Sequence, residues 1–421
     1  MASPFDIANA RSRFPALKQK QVFFDNAGGS QVLADVIKSI SDYLSTNNVQ
    51  LGASYPVGAA STKHFSDGLV AGAQYINADN DEVVIGASTT QLFRNLSIAL
   101  NLSPGDELVV SNLDHEANIA SWVAIAAQKN LTLKWWTVPP TSNPKLTPES
   151  LKPLLSPKTK LVTCTHASNI LGTIHDIRSL ADTVHTVPGA LFCVDGVAYA
   201  PDQPSNHTSH QHRRIDVKAL GVDFYSFSWY KVYGPHISML YGSRAAQNSL
   251  TPLSHYFNPT ATLTDKLGLA ASNYELTQTL PILLTYLGGP DPTTATKVNA
   301  AIAAHERDLQ AILLDYLASK GGDGITIYGE RDPDPAKRVP TVSFGVRGKT
   351  AREVVEAVEA VSDYGFRWGH FYSKRLCDDV LKLGPEGVIR VSMVHYNTED
   401  EIKGFVETFD KVIFGGGGSK A

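Results

Sequence analysis

Hydrophobic and polar positions along this chain fall into two rhythms. Through the middle, short apolar runs recur between polar turns. ELVVS (107–111) follows the Pro104-Gly105-Asp106 turn, and LTLKWW (131–136), KLVTCTH (160–166), ALFCVD (190–195), DFYSFS (223–228) and ISMLYG (237–242) come after it. Such runs predict buried strands. Between most of them lie stretches with helical spacing, for example 117–128 and 177–186. The alternation predicts an α/β fold: a mostly parallel central sheet with helices on both faces.

Near residue 290 the texture changes. A long amphipathic stretch (294–319) leads into PTVSFGV (340–346), a helix over 350–361, GFRW (365–368) and VIRVSM (388–393). A last helix starts at Thr398, with Glu401 three residues on as a capping box. The expected organisation is an N-terminal segment (1–20), a large domain (21–290), a smaller α+β C-terminal domain (291–414), to which N-terminal residues can contribute, and a linker-like tail, GGGGSKA (415–421).

Composition narrows the function classes. With 421 residues and a net charge of −4, the chain offers no basic surface for nucleic acid or anionic membrane. No apolar run reaches membrane-spanning length, and the opening MASPFDIANARSRF has no apolar core of a signal peptide, so a cytoplasmic location is expected. Cys164, Cys193 and Cys377 show no paired spacing, so neither a disulfide framework nor a zinc site is indicated. PDQPSNHTSHQHRR (201–214) holds His207, His210 and His212 without a carboxylate or thiol at ligand spacing. It reads as a solvated loop, and no metal is expected.

Five segments carry candidate chemistry. In SFSWYKVYGP (226–235), Lys231 follows an apolar run, at the strand end where open α/β sheets place ligands. A desolvated amine there can form a Schiff base with an aldehyde. The alternative is a surface lysine. In CVDGVAYAPD (193–202), Asp195 ends another run. A carboxylate there can keep a pyridine nitrogen protonated so that the ring absorbs carbanion electrons; otherwise it caps a turn before Gly196. In IGASTTQLFRNL (85–96), Ser88, Thr89 and Thr90 open a helix, either as a phosphate cradle or as a plain N-cap. No Walker pattern exists, since Gly348-Lys349-Thr350 lacks the upstream glycine. His115 in SNLDHEANIASW (111–122) can stack on a flat cofactor and move protons, or be structural. Asn169 in THASNILGT can donate to a phenolate oxygen, or sit in an ordinary turn. Together these are the parts that one pyridoxal phosphate site requires.

From FFDNAGGSQ (23–31) to HYNTEDEI (395–402), the chain resembles the class V aminotransferase family of fold-type I pyridoxal enzymes, and most of all its cysteine desulfurase-like branch. The ordered set DHEAN, HASNILGTI, VDG, SWYKVYGP and RVSMVHYNT carries the resemblance. It implies that Lys231 forms the Schiff base, Asp195 partners the ring nitrogen, His115 stacks, and Asn169 lies near the phenolate. It implies phosphate ligands at Thr89 or Thr90 and Ser228, and an arginine, Arg390, that clamps the substrate α-carboxylate. It also implies a homodimer, in which Ser272 and Asn273 of AASNYE (270–275) reach the partner's phosphate.

The departures from the desulfurase pattern are specific. Tyr230, also expected on the cofactor side, stands where those enzymes carry His before the lysine, and Ala198 where they carry Gln. In FRWGHFYS (366–373), Tyr372 stands where the catalytic thiol belongs; Cys377 lies further on, in an expected helix. The GHFY and YKVYGPH versions resemble a subgroup that includes fungal enzymes of specialised metabolism, such as loline-type cyclases. The resemblance therefore implies an enzyme that takes an α-amino acid through an external aldimine and a Cα-carbanion, as a β/γ-eliminating lyase or a carbon–carbon bond-forming cyclase. A desulfurase with an unusual thiol, an aminotransferase and a non-catalytic pyridoxal-binding protein are the rivals. Tyr55, Trp229, Tyr230, Trp368, His370 and Tyr372 are candidate pocket walls, with core packing the alternative for several.

Overall fold

A computed structural model describes residues 6–201 and 215–415. The histidine-bearing insertion and the GGGGSKA tail fall, but for their first residues, outside this range. Seven strands form the large sheet: β1 (Val83–Gly86), β2 (Glu107–Ser111), β3 (Thr132–Trp136), β4 (Thr159–Thr165), β5 (Leu191–Asp195), β6 (Phe224–Ser228) and β7 (Ser238–Gly242). Their order is β1-β7-β6-β5-β4-β2-β3. Only β7 runs antiparallel to its neighbours. Its connection from β6, residues 229–237, is shorter than a parallel crossover needs. The C-terminal ends of β1, β2, β4, β5 and β6 consequently share one edge.

Period-two alternation splits this sheet between two cores. Ile85, Val109, Val162, Val194, Tyr225 and Met239 face one, with helices Pro56–Tyr75 and Ile177–Val184. Val84, Val110, Leu161, Cys193, Phe224 and Leu240 face the other, with Thr89–Ala99 and Ala120–Lys129. The expected helix over 117–128 is divided: a single tight turn, Glu116–Asn118, precedes the α-helix that begins at Ala120. His115 caps that turn, its ring nitrogen accepting from Ala117 N–H at 3.0 Å.

A second sheet, in the order β10-β11-β9-β8, comprises β8 (Ile325–Tyr328), β9 (Thr341–Val346), β10 (Arg367–Gly369) and β11 (Val388–Ser392). Helices Pro292–Ser319, Ala351–Glu359 and Glu399–Ile413 close a third core with it. The capping box at Thr398 and Glu401 is present. N-terminal residues do contribute here: Val22–Phe23 pairs with Tyr364–Gly365 beside this sheet, so GFRW is divided between two pairings.

Backbone contacts join the two sheets. Val339 N–H donates to Gly172 O at 2.9 Å and Ile174 N–H to Lys337 O at 3.0 Å. The Ser343 hydroxyl reaches Ile170 O at 2.6 Å. Arg338, buried, donates to the carbonyls of Thr341 at 2.6 Å and of Glu330. The segment after β4 that carries Asn169 is thereby fixed to the second sheet.

Candidate active site

One cavity opens at the shared strand edge. Among its walls are Thr89 and Thr90 after β1, His115 after β2, Asn169 after β4, Asp195 at the end of β5, and Ser228, Tyr230 and Lys231 at and after β6. All eight residues expected on one subunit's cofactor side meet here.

The hydroxyls form a triangle. Thr89 Oγ1 lies 2.9 Å from Ser228 Oγ and 3.3 Å from Ser238 Oγ, and Ser228 and Ser238 are 2.6 Å apart. Ser88 Oγ caps Gln91 N–H at 3.1 Å. The Thr89 and Thr90 N–H groups remain in the first turn, where no intrahelical carbonyl reaches. Hydroxyls, first-turn N–H groups and the helix dipole together suit a phosphate.

Asp195 Oδ1 accepts from Val197 N–H at 2.9 Å. Burial pushes its pKa up to about 6, against the Val197 hydrogen bond and the charge of Lys231. A buried carboxylate this poorly compensated suits a cationic ring N–H. Gly196 is required beside it: a Cβ there would stand 2.2 Å from the Tyr225 ring. Neighbouring Asp114 is pushed further, to about 8, first by burial and then by the Asp195 charge. Burial, with the charges of Lys231 and Arg390, holds His115 down at about 3. Its ring is neutral, and with Nδ1 accepting, the proton sits on Nε2.

Lys231 is 8% exposed, and its Nζ donates to Ala27 O at 2.5 Å. Asn169 spends one Nδ2 hydrogen and its Oδ1 within the protein, which leaves the second Nδ2 hydrogen for the phenolate role expected. Nδ2 donates to Phe371 O at 3.0 Å, and Oδ1 accepts from Ser373 at 2.8 Å. Arg390 lies on the face of β11 opposite Ile389 and Val391, as the alternation requires, and reaches Asn169 O at 3.2 Å. It also pairs with Asp25 at 2.6 Å, under the Phe371 ring 3.6 Å away.

The other candidates stand apart from the cavity wall. Tyr372 is 69% exposed, with its ring 5.2 Å from that of His115, and His370 precedes it in the same loop. Tyr55, half exposed, caps helix Pro56–Tyr75. Ser272 lines a separate groove with Leu51, Phe65 and Tyr274, and Asn273 caps the turn beside it. Trp229 is a core residue, and Trp368 packs on the third core under Arg352. Reading by segments missed Asp25, Ala27, Ser238 and Phe371. A lone charge in FFDNAGG and a lone serine in ISMLYG were the available signals for Asp25 and Ser238.

A buried lysine and aspartate at the carboxyl edge of a mostly parallel sheet, with a smaller α/β unit behind them, define the fold-type I α/β class. The chain belongs to the class-V aminotransferase family, which it matches over residues 22–405. It is 56% identical to the aminotransferase-like protein FGM3 of Gibberella zeae, over 98% of this chain and 100% of that one. It is 40% identical to the cysteine desulfurase-like protein ustD of Aspergillus flavus, over 97% and 91%. The apo cysteine desulfurase of Thermococcus onnurineus shares the fold, with a TM-score of 0.82 at 21% identity over 99% and 100% of the two chains.

Proposed function

We propose that the chain is a pyridoxal-phosphate-dependent enzyme of α-amino acids. It removes the Cα proton and then expels a β- or γ-substituent or forms a carbon–carbon bond. One observation carries this reading: Lys231, Asp195, Thr89 and Ser228 line a single cavity, with Ser238 bonded behind the two hydroxyls and with the amine and the carboxylate both more than nine-tenths buried.

When bound, pyridoxal phosphate supplies an aldehyde for amino groups and an electron-poor ring that accepts the pair left at Cα. The hydroxyl triangle and the Thr89 and Thr90 N–H groups would take its phosphate. Asp195 would hold the ring N–H, and the neutral His115 would present a flat face to the ring. Lys231, in the cavity wall, would take the Cα proton. Arg390 would meet the α-carboxylate in a bidentate fork, a match that ammonium groups cannot reproduce.

A persulfide route lacks its thiolate. Cys164, Cys193 and Cys377 are all buried, and burial raises each thiol pKa, that of Cys377 to about 12. Three buried thiols also suit a reducing cytoplasm. A homodimer fits the placement of Ser272 away from its own chain's cavity, on a surface with exposed Tyr256, Phe257 and Leu269. Mixing Lys231→Ala subunits with subunits altered at 272–273 should restore activity in heterodimers. Full activity of dilute monomers would remove the shared site.

The decisive experiment adds pyridoxal phosphate to the purified protein and reduces with borohydride. A phosphopyridoxyl group should appear on Lys231 by peptide mass, and none on Lys231→Ala. Attachment at another lysine would overturn the reading. An amino-acid panel then separates the outcomes: release of a keto acid and ammonia marks elimination, and a new carbon–carbon bond in the product, read by NMR, marks bond formation.

A further inference from the structure

We propose that Asp25 is an internal stand-in for the substrate α-carboxylate, holding Arg390 in the resting enzyme and passing to Arg367 when an amino acid binds. The inference rests on the substrate class proposed above. Arg367 and Arg390 are direct cross-strand partners on β10 and β11, an arrangement that like charges disfavour. Asp25 bridges them: Oδ1 accepts from Arg390 at 2.6 Å and Oδ2 from Arg367 at 3.4 Å.

The two ends of the bridge differ in solvation. The Arg390 side chain is 2% exposed and that of Arg367 58%. An uncompensated charge is costly when buried and nearly free in water. Arg390 therefore needs a carboxylate at all times, whereas Arg367 can accept or release one freely. Phe371 lies over the Arg390 guanidinium at 3.6 Å, and Asn169 O holds Nη1 at 3.2 Å. The fork cannot swing to a new partner, so partners must exchange at the fork. Room for the Asp25 carboxylate is provided by Gly28, where a Cβ would stand 2.9 Å from Oδ2.

An arriving α-carboxylate displaces Asp25 and leaves the charge around Arg390 unchanged. An amine without a carboxylate cannot do this, and the bridge stays closed. The same aspartate thus protects the empty clamp and competes only with ligands that carry a carboxylate.

The test titrates L-alanine and ethylamine into pyridoxal-phosphate-loaded enzyme and follows cofactor absorbance. Asp25→Asn removes the competitor, so affinity for L-alanine should rise about threefold or more while that for ethylamine holds. Arg367→Gln removes the acceptor and should weaken L-alanine selectively, and this loss should vanish in the Asp25→Asn background. Weakened or unchanged L-alanine binding in Asp25→Asn would make Asp25 a fixed prop of Arg390 and overturn the exchange. Should Asp25→Asn fail to fold, Arg367→Gln alone decides, and unchanged L-alanine affinity there overturns the proposal. Arg390→Lys, run in parallel, separates the two readings. Equal loss for L-alanine and ethylamine sinks the amino-acid substrate itself. A selective loss, with no response to Asp25→Asn, sinks only the exchange.

Discussion

Arg390 is the residue on which the substrate class turns. Its guanidinium is buried, and burial lowers its pKa against the Asp25 charge and hydrogen bond. Truncating one partner of such a desolvated pair costs about 2–5 kcal/mol. Arg390→Ala should weaken α-amino acids tenfold or more in spectroscopic titration, with cofactor retained and amines far less affected. The cysteines predict the opposite. A variant with Cys164, Cys193 and Cys377 all changed to Ala should keep native turnover and lose only some stability through repacking. Selective inactivation by Cys377→Ala would restore a thiol mechanism. Arg390, Lys231 and Asp195 were legible because each sits in or just after a short apolar run whose alternation or ending fixes its position. Asp25 was not: its partner Arg390 lies 365 residues away, and no local pattern encodes that meeting.

At the scale of elements, the strands of the large sheet emerge within a residue or so of their apolar runs. Turns and reversals were harder. ISMLYG reads like its parallel neighbours, and only the length of the 229–237 connection distinguishes β7. Likewise the break before Ala120 comes from the cap that His115 makes, which periodicity does not report. The junction of β5 with β6 is tight enough to test. Gly196→Ala places a methyl against the Tyr225 ring, 2.2 Å from its nearest atoms, and the strand end must move. Overpacking of this kind costs about 1–3 kcal/mol. The expected outcome is a lower Tm together with weaker pyridoxal phosphate binding, because Asp195 moves with its neighbour. A normal cofactor affinity at the reduced Tm would detach Asp195 from the ring.

For the whole molecule, the buried titratable groups set opposite limits on stability. Burial holds His115, His166 and His395 at about 3 and His175 at about 4. Unfolded, each takes up a proton below about pH 6.5, so their contribution is present above that pH and lost as pH falls toward 4. Asp114, pushed to about 8, works the other way. Folded, it keeps a proton that the unfolded chain releases above about pH 4, so stability falls as pH rises from there to about 8. Urea midpoints of the cofactor-free protein should decline from pH 6 to 8 at up to about 1.4 kcal/mol per unit. Asp114→Asn should flatten that decline, and an unaltered slope would show that Asp114 is ionised in the fold.

The join between the two sheets has a consequence for how the chain breathes. Gly172, Ile174 and Val339 lie in connections, yet their amides donate to Ser168, Lys337 and Gly172 carbonyls at 2.9, 3.0 and 2.9 Å, beside the buried Arg338. In deuterium exchange these three amides should be as slow as those of β4 and β5, and should open with them in one event rather than as loops do. Arg338→Met keeps the length of the strut but leaves the Glu330 and Thr341 carbonyls without their donor. It should release all three amides together, and with them the segment that carries Asn169.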